Sequence, residues 1–80
     1  MTREQLAALP VGAKIRLWVD RFTVGDETVD VYEFGEIVVS GAVVTVAWEG
    51  NNDTVSSFID TKSPTWDPFV RDIDEDPNKL

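Results

Sequence analysis

The segment from Val43 to Phe58 alternates apolar and polar residues, turns at a glycine-containing loop and then alternates again. A period of two places successive side chains on opposite faces, which is typical of β-strands rather than helices. Val44, Val46 and Trp48 share one face of the first strand, and their bulk predicts that this face is buried. We expect the indole N–H of Trp48 to reach the rim of the core.

Another alternating segment, residues 13–22, predicts an earlier strand. Its aliphatic side chains Ile15, Leu17 and Val19 are expected to point toward the core. Trp18 has the opposite phase and is expected to lie outside, among charged residues.

Residues 28–41 predict a second long strand. The phase that buries Val29 and Val31 directs Tyr32 and Phe34 toward solvent. That phase depends on the valines being the core residues, and the reverse phase would bury the two rings instead.

Gly35 interrupts this strand, and a glycine inside a strand often marks a bulge. A bulge at this position would return Ile37 and Val39 to the core. A fourth strand is predicted over residues 54–59, with Val55 facing inward together with Phe58 or Ile59, depending on the register.

The two ends of the chain differ from this pattern. Thr2 and Gln5 have the spacing of a capping box, which predicts a short helix that packs through Leu6 and Leu9. Pro64 and Pro68 exclude a central strand near the other end. That segment is expected to bury Trp66 along the barrel or to add an edge strand through Phe69 and Val70, and the acidic tail after it is expected to be mobile.

The sequence therefore predicts a mainly β domain: a small barrel of four to five antiparallel strands with a short N-terminal helix and an irregular C-terminal arm. The expected boundaries are residues 1–10 for the helix, 11–60 for the barrel, and 61–80 for the arm and tail.

The charge is strongly acidic, with 15 Asp and Glu against seven Lys and Arg, a net charge of −8. No base occurs between Phe22 and Thr61. Such a surface repels nucleic acid phosphates and anionic membranes, so we expect no direct binding to either. It favours a protein partner with a basic surface, although net charge also simply keeps a small domain soluble.

The residue types argue against catalysis, metals and cofactors. The chain has no histidine and no cysteine, so its serines lack the usual catalytic partners. Asp72, Asp74 and Asp76 have the spacing that opens an EF-hand loop, but Pro77 stands where that loop needs glycine. We predict a protein that is not an enzyme, and, without an export signal or a long apolar segment, a cytoplasmic one.

The strongest functional candidate is the outer face of the first two strands. Its predicted partner-binding residues are Trp18, Asp30, Tyr32, Phe34 and Glu36. Aromatic rings exposed beside charges are typical of protein interfaces.

The element Val44-x-Val46-x-Trp48-x-Gly50 before a hairpin resembles SH3-like barrels of the Tudor and chromo-barrel type. The opening from Leu9 to Leu17 also resembles that of short proteins of actinobacteria and their phages. This resemblance implies a non-catalytic binding module. Tudor-type domains hold methylated Lys or Arg in a cage of converging aromatic residues, whereas the outward rings of this chain lie on strands.

Three functions are compatible with these features. The first is an acidic protein-interaction module, such as a phage or accessory protein that docks on a cellular protein. The second is an acidic mimic of DNA that blocks a nucleic-acid-binding protein. The third is a homo-oligomeric structural protein joined through an edge strand or through the C-terminal arm.

Overall fold

The computed structural model describes residues 1–50 and 53–78, and its main feature is one open, five-stranded antiparallel sheet in the order β4-β3-β2-β1-β5. The strands are β1 (Lys14–Val24), β2 (Glu27–Val39), β3 (Val43–Glu49), β4 (Thr54–Asp60) and β5 (Ile73–Glu75). Helix α1 (Arg3–Ala8) precedes the sheet, and a 3-10 turn (Pro64–Trp66) and helix α2 (Asp67–Val70) connect β4 to β5. The mainly β class and the short N-terminal helix are confirmed.

The core lies on one face of the sheet, under α1 and α2. It consists of Leu6, Ala13, Ile15, Ile37, Val44, Val46, Trp48, Ile59, Val70 and Ile73. The predicted burial of Val44, Val46 and Trp48 on β3 is confirmed. The indole N–H of Trp48 donates a hydrogen bond to the Ser57 hydroxyl at 3.2 Å, so this ring is a core residue with its polar edge satisfied.

Helix α1 forms because its first turn is capped by the sequence itself. The Thr2 hydroxyl accepts a hydrogen bond from the Gln5 N–H, and the Gln5 side chain accepts one from the Thr2 N–H. This is the predicted capping box. A helix of six residues is not stable alone. The fully buried Leu6 therefore anchors it to the core, with Leu9 packed beside it.

Gly35 does not mark a bulge, contrary to the prediction. The register of β1 and β2 passes through Gly35 without a shift, and the irregularities lie between Trp18 and Asp20 and between Ile37 and Val39. Gly35 is required for packing instead, because a Cβ there would lie 2.7 Å from the Trp48 ring. The glycine leaves room for that ring to lie across the strand.

Five valines predicted to be buried are exposed: Val19, Val29, Val31, Val39 and Val55. Val19 lies at the irregularity in β1, and the irregularity in β2 turns Val39 to the face away from the core, beside Thr45. Val29 and Val31 lie on a part of the sheet that none of the described residues covers. Val55 pairs with Trp48 on the core side, at an uncovered end of β4.

The C-terminal segment is more ordered than predicted. Phe69 and Val70 belong to α2 rather than to an edge strand, and the added strand is β5, which pairs with β1. Ile73 is fully buried within the acidic tail. The rings of Trp66 and Phe69 meet edge to face with centroids 6.0 Å apart, and both pack against the core. Trp66 is half-buried there, so the predicted burial of its ring is only partial.

Candidate interaction surface

The β1–β2 hairpin projects beyond the rest of the sheet. Strand β3 pairs with β2 only from Gly35 to Val39, and β5 pairs with β1 only from Ile15 to Leu17. Residues 18–34 therefore form a two-stranded arm, which we call the projecting hairpin. Every residue from 18 to 31 is exposed. Two-stranded ribbons have no core of their own, so both faces of this arm present side chains to solvent.

The tip of the projecting hairpin is the two-residue turn of Gly25 and Asp26. Gly25 has a φ of +61°, a backbone conformation that glycine adopts without steric cost. This turn sets the register of the arm, in which Val24 lies opposite Glu27.

The register of the hairpin brings all five predicted contact residues to one face. Trp18 lies opposite Tyr32, and Phe34 and Glu36 follow on the same face two and four residues further along β2. Asp30 completes the set on the tip side of Tyr32. We call these five residues the aromatic face. Trp18 and Phe34 are 36% and 41% exposed, and Tyr32 is half-buried.

Asp30 ties the two strands of this face together. Its carboxylate accepts a hydrogen bond from the Trp18 indole N–H at 3.2 Å and pairs with the Arg21 guanidinium at 2.7 Å. The Arg21 bond, followed by the Trp18 bond, lowers the pKa of Asp30 below its ordinary value. The same pairing raises the pKa of Arg21. Trp18 is therefore held in one orientation by a charged partner.

Tyr32 is contacted by a cation from its own sheet. The guanidinium of Arg16 lies over the Tyr32 ring, 4.1 Å from its centroid. At the other end of the aromatic face, Lys14 forms a salt bridge with Glu36, and this bond raises the pKa of Lys14. All the bases of β1 thus lie on the aromatic face, and both of its acids are paired with them.

The other face of the projecting hairpin was missed by the sequence analysis. Alternation and register place there the apolar residues Phe22, Val29 and Val31 together with the acids Asp20, Glu27 and Glu33. We call these six residues the acidic face. Phe22 is 46% exposed, and the three acids form no salt bridge among the described residues. Within the two strands of the hairpin, the carboxylates without such a salt bridge therefore lie on this face rather than among the rings.

Strand length is the signal that could have revealed the acidic face. The two predicted hairpin strands are longer than the two that follow them, so part of the hairpin had to lack neighbours. Side-chain alternation alone assigns an inner face to every strand, including the portion that nothing covers.

A cleft of about 250 Å³ lies where the acidic face meets the body of the sheet. Its apolar lining comes from Leu17, Trp48, Val55 and Phe69, and Glu33 stands at its edge. The cleft therefore extends the acidic face toward the core with the same combination of apolar surface and carboxylate.

Among residues 1–50 and 53–78, no group of three or more His, Cys, Asp or Glu side chains is arranged to hold a metal ion. None of the helices in the described part of the chain has the length and hydrophobicity needed to cross a bilayer. The expectation of a chain without a metal site or membrane segment stays a prediction from the sequence.

The chain was compared with protein-family models, with curated proteins and with solved structures, and none of them matches it.

Proposed function

We propose that the protein is a non-catalytic, acidic protein-interaction module that contacts its partner through the projecting hairpin. The observation that carries this proposal is the exposure of the whole arm from residue 18 to residue 31. Exposed apolar side chains on an arm without a core mark contact surfaces more often than scattered surface residues do. A phage or accessory protein that docks on a cellular protein in the cytoplasm would have this form.

The aromatic face supplies the proposed anchor residues. Trp and Tyr contribute large, rigid contact areas and are enriched among residues that dominate binding energy. Trp18 is already oriented by Asp30, and the Tyr32 ring is already packed against Arg16. Side chains held in place before binding lose less conformational entropy on contact, which favours affinity.

The acidic face supports a partner with a basic surface. Asp20, Glu27 and Glu33 surround Phe22 and the exposed valines, and no base lies among them. Complementary charge increases the rate of encounter and selects among partners, while buried apolar area provides most of the binding free energy. A basic partner would be attracted by this face even where its main contacts are with the rings.

We also infer that the sheet is related to SH3-like barrels. The strand order supports this, since β5 returns to pair with β1 after a 3-10 turn, and Trp48 packs inside. An experimental structure in which the two ends of the sheet curl over the core would support the relationship. A flat sheet with widely separated edges would contradict it.

Affinity capture from extracts of the cell that encodes the chain tests the proposed function. The bait variants are Trp18→Ala and Tyr32→Ala on the aromatic face, with Phe22→Ala as the matched control on the acidic face of the same arm. We expect Trp18→Ala and Tyr32→Ala to lose the captured protein and Phe22→Ala to keep it. Loss with Phe22→Ala alone would overturn the aromatic face as the anchor, and capture unaffected by all three would overturn the hairpin proposal.

A DNA mimic is the second candidate, favoured by the absence of bases on the acidic face. The carboxylates there alternate with apolar side chains, however, whereas DNA presents an unbroken series of phosphates. Binding of a mimic to its target should weaken steeply between low and high salt, because charge would supply most of the affinity. An interface centred on the aromatic rings should change little over the same range.

A further inference from the structure

The outer edge of β4 carries no protection against pairing with another strand. Strand β4 has seven residues, and it pairs with β3 in a continuous register from Asp60 to Thr54 without a bulge. Edge strands of soluble proteins are usually blunted by lysine, proline, a bulge or shortness. Residues 54–59 contain no charged residue and no proline, whereas the opposite edge, β5, has only three residues.

Two hydrogen bonds show which backbone groups of β4 point outward. The N–H of Thr61 donates to the carbonyl of Ala42, and the N–H of Gly50 donates to the carbonyl of Asp53, each at 2.9 Å. Hydrogen-bonded and non-hydrogen-bonded pairs alternate along an antiparallel ladder. The backbone groups directed away from β3 are therefore those of Thr54, Ser56, Phe58 and Asp60.

We propose that two copies of the chain associate through β4, antiparallel, with Ser57 of one copy opposite Ser57 of the other. This register pairs Ser56 with Phe58 of the second copy, and Thr54 with Asp60 of the second copy. Every outward backbone group of the strand then has a partner, and the two sheets become one sheet of ten strands. Because a two-fold axis passes between the two Ser57 residues, both copies use the same surface and the assembly is closed.

The side chains of β4 complement each other in this register. Phe58 is 67% exposed on the face away from the core, and the rings of the two copies become diagonal neighbours, which aromatic side chains can bridge. Val55 is 62% exposed on the core side and lies opposite Ile59 of the second copy, a side chain that its own core already buries completely. The apolar gain therefore comes from Phe58, one of the most exposed apolar side chains of the molecule.

The charges at the ends of the strand favour a second copy over an unrelated extended segment. Asp53 precedes β4 and Lys62 follows it, so antiparallel pairing brings Lys62 of one copy to the end where Asp53 of the other lies, and this base offsets the negative charge of Asp60, which lies at the same end. The net charge of −8 on each copy opposes association. Repulsion between charges more than about 8 Å apart is largely screened at about 0.15 M salt. The hydrogen bonds and side-chain contacts between paired strands act over much shorter distances, so salt does not remove them.

The association is independent of the proposed function, because β4 and the projecting hairpin lie in different parts of the sheet. Light scattering or sedimentation of the purified chain, from about 10 µM to about 1 mM in about 0.15 M NaCl, measures it directly. We expect the mass to rise from 8.9 kDa toward twice that value as concentration increases.

Ser56→Pro is the decisive variant. It removes an outward N–H that pairing with β3 does not use, so the chain should fold and remain monomeric over the same concentrations. Ser56→Thr keeps the N–H and is the matched control that should still dimerise. Phe58→Lys, which keeps the backbone intact and adds a charge to the edge, should also be monomeric and covers the case in which the proline variant does not fold.

Three results would overturn the proposal. The first is a wild-type mass that stays at 8.9 kDa throughout. The second is a folded Ser56→Pro or Phe58→Lys variant that still dimerises. The third is a dimer abolished by Tyr32→Ala but kept in Ser56→Pro, which would move the interface to the aromatic face.

Discussion

Gly35 and Trp48 occupy opposite positions on β2 and β3, and their fit depends on the absence of a side chain at position 35. A Cβ at Gly35 would lie 2.7 Å from the Trp48 ring and 2.9 Å from Val46. Replacing a glycine by alanine where the backbone is unstrained usually stabilises the folded protein by about 0.4–1 kcal/mol, because the unfolded chain then has less conformational freedom to lose. Overpacking a core costs about 1–3 kcal/mol. We therefore expect Gly35→Ala to lower the free energy of unfolding in urea.

The same change in a Trp48→Phe background provides the control. A smaller ring leaves more room beside β2, so Gly35→Ala should cost less there than in the wild type, and the two substitutions should not be additive. A Gly35→Ala variant that is more stable than the wild type would show that the ring moves aside freely.

For single residues, the alternation of side chains along the strands predicted much that the structure confirms. The burial of Val44, Val46 and Trp48 and the common face of Trp18, Tyr32 and Phe34 both follow from a period of two. The burial of Val29 and Val31 does not follow, because alternation assigns a side chain to a face and says nothing about what covers that face. Gly35 was misread because a bulge and a close ring contact select the same residue type.

The projecting hairpin is the element whose stability should differ most from that of the rest of the sheet. Its strands have one neighbour each, whereas β2 has backbone partners on both sides from Gly35 to Ile37, and β3 lies between β2 and β4. Local opening is easiest where few apolar contacts must be broken. In amide hydrogen exchange at low protein concentration, we expect Phe22 and Val29 to exchange at least about tenfold faster than Ile37 and Val46.

Trp48→Phe offers a check on this prediction, because it weakens the core without touching the arm. Exchange at Ile37 and Val46 should accelerate in that variant, while exchange at Phe22 and Val29 should change little. Hairpin amides as slow as those of the core in the purified wild type would mean that the arm is covered, and would contradict its description as a free surface.

Elements differ in how far the sequence reveals them. Helix α1 is defined by Thr2 and Gln5, three residues apart, so local sequence is enough to predict it. Strand β5 lies within an acidic run and exists because Ile73 is buried and its backbone pairs with β1. Strand β5 is thus formed by a contact between distant parts of the chain, and a local sequence pattern does not contain that contact.

In the whole molecule, the sequence indicated a net negative charge but not its distribution. On the hairpin, the bases of β1 neutralise the acids opposite them on the aromatic face, and the carboxylates of Asp20, Glu27 and Glu33 on the acidic face stay without a salt bridge to any described residue. That segregation depends on the register between β1 and β2. The mainly β class was predictable from alternation. How much of each strand has a neighbouring strand on both sides was not.

The dependence of global stability on pH should reveal the pairing of Arg21 with Asp30. Asp30 has a lowered pKa in the folded state, so its contribution is present above the pKa of the unfolded chain, about 3.9, and is lost as the pH falls through the lower folded value. Arg21→Ala should therefore reduce stability in urea at neutral pH, and the difference from the wild type should shrink through that acid range. Carbon NMR of the Asp30 carboxyl should show its pKa rising in the variant. Arg71→Ala makes the same change in net charge beside Asp72, at an ion pair of 3.7 Å, and should leave the Asp30 titration unchanged. A stability loss in Arg21→Ala that stays constant well below the folded pKa would assign the effect to packing of the arginine stem rather than to its charge.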